Sequence, residues 1–272
     1  MIAYPRIDPI AVSLGPVHVH WYGIMYIVGF GVAWWLGRRM AARPGSTWKA
    51  EDVDDLVFWS MLGVILGGRI GYVLIYGRDM WRQDVFYPLK IWQGGMSFHG
   101  GLVGVIVALL AFSRSRGRKW IDVLDFAAPL PGIGIMAVRV GNFINGELWG
   151  APTSAPWAFG VPDPVTGEVI GRHPSQLYEA FFEGLLLFLV VWWFARKPRP
   201  RGAVFGLALA WYALARSLAE LVRLPDAQIG YLAGDWLTMG MLLSMPMYVL
   251  GAILLANAWV RPRPTGNYVS QA

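Results

Sequence analysis

Residues 56–76 read LVFWSMLGVILGGRIGYVLIY, an unbroken apolar run in which Arg69 is the only charge. A helix of ~20 apolar residues crosses the hydrocarbon core of a bilayer, so this stretch predicts a membrane span. Within it Gly63, Gly67 and Gly71 recur every four residues and make one helix face smooth enough for a second helix to approach closely. The whole chain agrees. Of its 272 residues 56% are apolar and 15% charged, whereas a soluble domain has about 25% charged. Fifteen Trp, eleven Tyr and 33 Gly point the same way, because Trp and Tyr belt membrane interfaces and Gly is commoner in membrane helices. A soluble globular protein is excluded, and the net charge of +6 must be placed along the chain before nucleic acid is invoked.

Working outward, hydrophobic stretches near 20–37, 56–76, 96–113, 121–142, 176–195, 203–222 and 236–258 are each long enough to cross as a helix. The reading is an all-α integral membrane protein, a seven-helix transmembrane bundle forming one polytopic domain over 1–272. Pro129 and Pro131 interrupt the fourth stretch, and Gly132, Gly134 and Gly141 loosen it; such breaks are tolerated where neighbouring helices or a cavity satisfy the freed backbone. The Gly- and Pro-rich connection 143–175 is expected as an external loop structure. The N-terminus lacks the basic region and small-residue cleavage site of a secretory signal, so the first span is expected to stay.

Lys and Arg collect in cytoplasmic loops. Fourteen lie after the odd-numbered spans, namely Arg38, Arg39, Arg43, Lys49, Arg114, Arg116, Arg118, Lys119, Arg196, Lys197, Arg199, Arg201, Arg261 and Arg263. Six lie on the other side: Arg6, Arg78, Arg82, Lys90, Arg172 and Arg223. The N-terminus is therefore expected outside and the C-terminus in the cytoplasm. The basic charge is accounted for by membrane orientation, and no nucleic-acid partner is expected.

Three arginines remain inside spans, Arg69, Arg139 and Arg216. An Arg at the centre of a span costs about 2.5–3.5 kcal/mol on insertion scales, so it faces the bundle interior and meets a partner or an anion. Each lies in the outer half of its span. Tyr22, His99, Glu147, Glu179, Glu183 and Glu220 decorate the same outer ends, while Asp122 and Asp125 at the inner end of the fourth span read as a cap or interfacial pair.

Arg139, Asn142, Asn145 and Glu147 sit in AVRVGNFINGELWG, where Gly141 and Gly146 let the backbone leave the helix near a ligand; the plainer reading is a capped helix terminus. Arg216, Glu220 and Arg223 share a helix face by their spacing and leave net positive charge for an anion, or else form a self-contained ion-pair ladder. Arg69 either binds substrate or ties span two to a carboxylate of span five. His99, between glycines in GGMSFHGGL, suits proton transfer near neutral pH, although a lone His at an interface is more often a packing residue. His20 and His173 read as interfacial anchors. There is no Cys, hence no disulfide and no thiolate nucleophile or metal ligand. No phosphate-binding Gly loop, nucleophile elbow or HExxH pattern occurs, and neither a metal nor another cofactor is expected.

HWYGIMYIVGF, GGRIGYV, GGMSFHGGL, RVGNFINGELWG and RHPSQLYE, in this order, resemble the bacterial phosphatidylglycerol:prolipoprotein diacylglyceryl transferase family over about residues 8–260. Two departures stand out: Val138 where the family usually has Gly, and Ala151 where it often has Arg. The resemblance implies transfer of the diacylglyceryl group of phosphatidylglycerol to the lipobox cysteine thiol of a preprolipoprotein signal peptide, giving a thioether and glycerol 1-phosphate. It implies an inner-membrane enzyme, in contact with membrane lipids, whose active site faces the external leaflet. The implied roles are catalytic for His99, Arg139, Arg216 and Glu147, and substrate-binding for Tyr22, Asn142, Gly150 and Glu220; Arg69 joins the substrate-binding set on its place inside a span alone. His99 would be the thiol's base, the arginines would hold the phosphate, and Glu147 and Glu220 would orient them. The competing classes are an anion or lipid transporter with an externally facing Arg-lined site, which would show repeated halves and a polar path through both leaflets, and a lipid-binding structural subunit.

Overall fold

In the computed structural model, which describes residues 1–15, 17–163, 166–225 and 230–268, the apolar runs are helices and two small sheets accompany them. The order is β1 (Ile2–Ala3), β2 (Ile10–Leu14), β3 (Val17–His20), α1 (Trp21–Ala41), α2 (Ala50–Ile75), α3 (Arg78–Gln83), two single 3₁₀ turns, α4 (Phe98–Ser115), α5 (Trp120–Ala127), α6 (Pro131–Ile144), β4 (Phe159–Pro162), β5 (Val169–Arg172), α7 (Ser175–Glu179), a π-helical segment Ala180–Leu186, α8 (Leu187–Phe194), α9 (Ala203–Glu220) and α10 (Met239–Val260). Five helices are long and apolar enough to cross a membrane: α2, α4, the continuous Ser175–Phe194, α9 and α10. The pair α5 and α6, bent by 53° at the Pro129–Pro131 break, makes a sixth if taken as one span. α1 has the length, but its Trp, Tyr, Gly and paired arginines lower its apolarity.

The arrangement is inside-out relative to a soluble protein. Leu66, Ile70, Leu74, Val103 and Val107 are exposed, while the largest fully buried side chains are Gln176, Glu179 and Glu183. Surfaces of this kind suit lipid, where helix contacts come from small residues and polar pairs rather than from an apolar core.

The chain forms two compact units, one of residues 1–33 and 125–264 and the other of residues 34–124 with the tail from Thr265. In the second unit α2 and α4 meet along the predicted glycine face. A Cβ on Gly71 would stand 2.8 Å from the Cα of Gly100, and one on Gly67 would stand 2.8 Å from the Cα of Gly104. Ser97 caps α4 by accepting from the Gly100 amide at 3.2 Å, satisfying one of the orphan donors of a helix start. Asp122 accepts from the Gly266 amide at 3.0 Å and so holds the tail.

In the first unit α1 meets α6 at Gly29 and Gly134, where a Cβ on Gly29 would stand 2.8 Å from the Gly134 Cα. α6 starts on Pro131, whose missing N–H costs nothing in the first turn. It packs on the π segment and α8 through Gly132 and Gly184, the latter leaving 2.7 Å between a would-be Cβ and the Met136 backbone. Asp125 accepts from the Gly202 and Phe205 amides at 2.6 and 2.9 Å and so caps α9. Both aspartates of the pair 122/125 are therefore backbone acceptors, each within its own unit.

The chain is mostly helical, as expected of an all-α membrane protein, and two small sheets lie between its helices. β2 and β3 form an antiparallel hairpin, and β1, β4 and β5 form a three-stranded sheet in which Ile2 lies parallel to Phe159 and Phe159 lies opposite Arg172. The expected loop 143–175 thus carries two strands; its residues 164 and 165 lie outside the described ones.

Candidate active site

Where α6 ends, the sequence FINGE dictates a specific turn. Gly146 takes a φ of 69°, and the Gly146 and Glu147 amides return to the Phe143 and Asn142 carbonyls at 3.0 and 3.1 Å. That is the glycine-terminated closure of a helix C-terminus, and the Tyr4 hydroxyl completes it by donating to the Phe143 and Ile144 carbonyls at 2.8 and 2.9 Å. Burial pushes the Tyr4 hydroxyl above its ordinary pKa, so it remains a protonated donor through the neutral range. The turn folds Glu147 back over the helix end. Its Oε1 accepts from Asn142 Nδ2 at 2.8 Å and from Asn145 Nδ2 at 3.3 Å, and its backbone oxygen accepts from Gln176 Nε2 at 2.5 Å.

One turn earlier on α6 is Arg139. α7 presents Gln176 and Glu179, and the π segment that follows presents Glu183; π turns are uncommon and recur at functional sites. Arg216 and Glu220 come from α9, and Arg223 lies just beyond it. These six charges close on one another. Glu179, fully buried, is 2.9 Å from Arg139 Nε, 3.2 Å from Arg216 Nη1 and 2.7 Å from Arg223 Nη1. Glu183 lies 3.3 Å from Arg139 Nη2 and 3.5 Å from Arg216 Nη1. Glu220 pairs with Arg216 Nη2, and its Oε1 is 3.8 Å from Arg223 Nε. The three carboxylates are buried, whereas the arginine side chains keep 14–19% of their surface exposed. The carboxylates are thus the buried partners and the arginines the partly accessible ones. Among the described residues Arg139 Nη1 and Arg223 Nη2 have no partner.

This corrects two expectations. The Arg216, Glu220, Arg223 face is not by itself a net positive patch, because Glu179 and Glu183 bring the cluster to three cations and three anions. Among the described residues Glu147 orients no arginine: its carboxylate receives asparagine amides, and Glu179 and Glu183 take that role at Arg139. Glu220 does hold Arg216 and Arg223.

Gly150 has a packing reason for being glycine. Its amide donates to the His173 carbonyl at 2.9 Å, the next amide donates to the Val222 carbonyl at 2.9 Å, and Gly150 pairs as an antiparallel bridge with Arg223. A Cβ on Gly150 would stand 2.5 Å from the Val222 oxygen and 2.8 Å from His173 Cβ. Gly150 therefore lets the 150–173 loop come down beside Arg223. His173, read as a loop anchor, holds the Tyr178 hydroxyl at 3.2 Å from Nδ1. Tyr22 packs edge-to-face on Tyr26 at 5.3 Å, in the space left by Gly141.

His99 and Arg69 belong to the second unit. His99 is exposed in the first turn of α4, its ring 5.5 Å from that of Phe98. Arg69 is buried and directed at backbone rather than at the carboxylate expected for it. Nε donates to Pro88 O at 3.1 Å, Nη1 to Gly94 O and to Gly95 O at 3.2 Å, and Nη2 to Tyr87 O at 2.6 Å and Lys90 O at 3.1 Å, with the Tyr87 ring 4.6 Å away. A guanidinium has five N–H donors, and all five are used. The structure thus gives Arg69 a structural role, organising residues 87–95, and leaves it no donor for a substrate.

Gln176 was not singled out from the sequence, and Glu179, Glu183 and Arg223, noted there, were given no place among the catalytic or substrate-binding residues. Their signal was present: Gln176, Glu179 and Glu183 are spaced by three and four in an otherwise apolar span, where polar groups default to function.

A family model described as prolipoprotein diacylglyceryl transferase matches residues 9–257. Among curated proteins, one from Nitratidesulfovibrio vulgaris is 54% identical over 255 residues, covering 94% of this chain and 95% of its own length. One from Ectopseudomonas mendocina is 51% identical, covering 96% and 97%, and one from Methylococcus capsulatus is 51% identical, covering 96% and 99%. Each is named phosphatidylglycerol–prolipoprotein diacylglyceryl transferase.

Proposed function

Because this chain belongs to the prolipoprotein diacylglyceryl transferase family and transfers the diacylglyceryl group of phosphatidylglycerol to a prolipoprotein, we propose that its arginine–glutamate cluster is where the lipid phosphate is held during transfer. The observation that carries this is the layering at Glu179: three guanidiniums fixed from beneath by buried carboxylates, with N–H edges left over at Arg139 and Arg223. Since the cluster is formally neutral, a phosphate is bound by those directed donors rather than by surplus charge, and bidentate guanidinium geometry suits it. Family membership leaves the transporter and structural-subunit readings without support.

The chemistry then runs as a displacement. The acceptor is a lipobox cysteine thiol of the signal peptide. Its sulfur bonds to the terminal glyceryl carbon of the lipid, the bond from that carbon to the phosphate ester oxygen breaks, and the electron pair leaves with glycerol 1-phosphate. A free thiol with a pKa near 8.5 is only about 3% thiolate at pH 7, so a base raises the rate; His99 takes that proton. Negative charge grows on the departing phosphate, and donors fixed in a water-poor site stabilise it without reorganising. Asn142 and Tyr22 contact the headgroup, Glu220 steadies Arg216 and Arg223, and no step calls for a metal or cofactor.

In the same reading the chain is a seven-span protein of the bacterial inner membrane, its N-terminus outside and C-terminus cytoplasmic, with the site in the external leaflet. Support comes from the fourteen-to-six distribution of basic residues. The test of the site is substitution. Arg139→Ala and Arg139→Lys should both lose thioether formation while the protein stays folded, because Lys keeps the charge but not the forked donors; full activity in either would remove the phosphate-holding role.

A further inference from the structure

The polar layer one turn outside the cluster consists of acceptors rather than donors. Asn142 Nδ2 and Asn145 Nδ2 both face Glu147 Oε1, and Gln176 Nε2 faces the Glu147 backbone oxygen. A carboxylate and a carbonyl only accept, so the amide orientation of all three side chains is fixed, nitrogen towards Glu147 and oxygen away from it. Asn142 Oδ1, Asn145 Oδ1 and Gln176 Oε1 are buried and have no hydrogen-bond partner among the described residues. Asn142 is 4% exposed and Gln176 0%. A buried acceptor left unpaired costs about 1–3 kcal/mol, and three around one residue require donors from elsewhere.

Their placement says what those donors belong to. Asn142 follows Arg139 by three residues on α6, and Gln176 precedes Glu179 by three on α7. On both helices the acceptor layer is therefore offset from the guanidinium layer by one turn, about 4.5 Å along the axis. A ligand filling both layers presents anionic oxygens to the arginines and, about that distance away, hydrogen-bond donors to the amides. A glyceryl phosphate has that pattern, its hydroxyls lying a few bonds beyond the phosphorus. We propose that Asn142, Asn145 and Gln176 form an acceptor set that takes the hydroxyls of the donor lipid's glycerol headgroup, making Asn145 and Gln176 specificity-determining residues. The proposal rests on the assignment of the phosphate to the arginine cluster and names the part of the substrate that lies beside it.

The test compares donors that differ only in headgroup hydroxyls: phosphatidylglycerol, and phosphatidylpropanol, which lacks both. The leaving phosphates have similar intrinsic reactivity, so a difference in kcat/KM reports recognition. A site built to hydrogen-bond a hydroxyl discriminates strongly against the analogue without it, because its buried groups are left unpaired. The purified enzyme, a lipobox peptide and each donor in mixed micelles should give thioether from phosphatidylglycerol with kcat/KM higher by about 10²-fold or more. Gln176→Met keeps the bulk and removes the acceptor; it should lower kcat/KM for phosphatidylglycerol by at least tenfold and for phosphatidylpropanol far less, compressing the ratio. Asn145→Ala, at a half-exposed position, should compress it in the same direction and serves if Gln176→Met fails to fold. Equal use of the two donors by the wild-type enzyme overturns the proposal and leaves the transferase reading standing, with the amide oxygens holding water instead. An equal drop on both donors in the variants also overturns it, as that is what loss of the Gln176 bond to Glu147 alone would do. No thioether from any donor in the wild type overturns the transferase reading and this proposal together.

Discussion

Glu179→Gln perturbs the node on which the whole cluster depends. Glu179 is fully buried and faces three guanidiniums at 2.7, 2.9 and 3.2 Å. One such pair at about 4 Å is worth about 4 kcal/mol at an effective dielectric of 20, but the sum over three overstates the loss. Glutamine still offers a carbonyl oxygen, and Glu183 and Glu220 remain. Breaking a buried ion pair by removing one partner costs about 3–5 kcal/mol, mostly from the charge left uncompensated, and here the variant leaves three cations over two anions. The expected destabilisation is therefore about 3–5 kcal/mol, read as a shift in the reversible unfolding midpoint in mixed micelles. Glu147→Gln is the control, since the exposed Glu147 carboxylate receives only asparagine amides and should cost about 1 kcal/mol. Adding Arg223→Gln to Glu179→Gln removes the surplus cation, so the double variant should lose less than the sum of the singles, with a coupling of about 1–3 kcal/mol. A loss below about 1 kcal/mol for Glu179→Gln, or strict additivity in the double variant, would refute the argument that this carboxylate organises the site.

Three further predictions concern other residues. His99→Ala should slow transfer in a folded protein; most activity retained would assign the base elsewhere. Gly150→Ala should impair turnover through Arg223, since its Cβ would stand 2.5 Å from the Val222 oxygen; the variant should show raised protease sensitivity in the 150–173 loop, and unaltered kinetics would contradict the account. Arg69→Lys cannot satisfy five carbonyls with three N–H donors, so it should destabilise the protein by about 1–3 kcal/mol with little change in KM for the lipid, whereas a large KM increase in a stable variant would return Arg69 to the binding site.

Much of this was legible in the residues. The run 56–76 announced its helix, the Gly63, Gly67, Gly71 spacing announced its packing face, and Pro129 with Pro131 marked the break at which α5 and α6 bend by 53°. Arg139 and Arg216 stood out because a charge inside a span demands a partner. What stayed hidden was partnership across distance. Nothing local tells that Glu179 gathers arginines from α6 and α9, that Arg69 is spent on carbonyls 18 to 26 residues ahead, or that Ile2 pairs with Phe159. Glu147 was misread for the same reason: in sequence it is the carboxylate nearest to Arg139, but the turn at Gly146 directs it to Asn142. The acceptor layer was invisible because amide orientation exists only once the partners are placed.

The most direct test mixes purified protein, phosphatidylglycerol and a lipobox peptide with a single cysteine, and follows both products by mass spectrometry. The account predicts a diacylglyceryl thioether on the cysteine and one equivalent of glycerol phosphate released with it, both absent with Arg139→Ala. Release of glycerol phosphate without the thioether, or thioether formation undiminished in folded Arg139→Ala, would contradict the account.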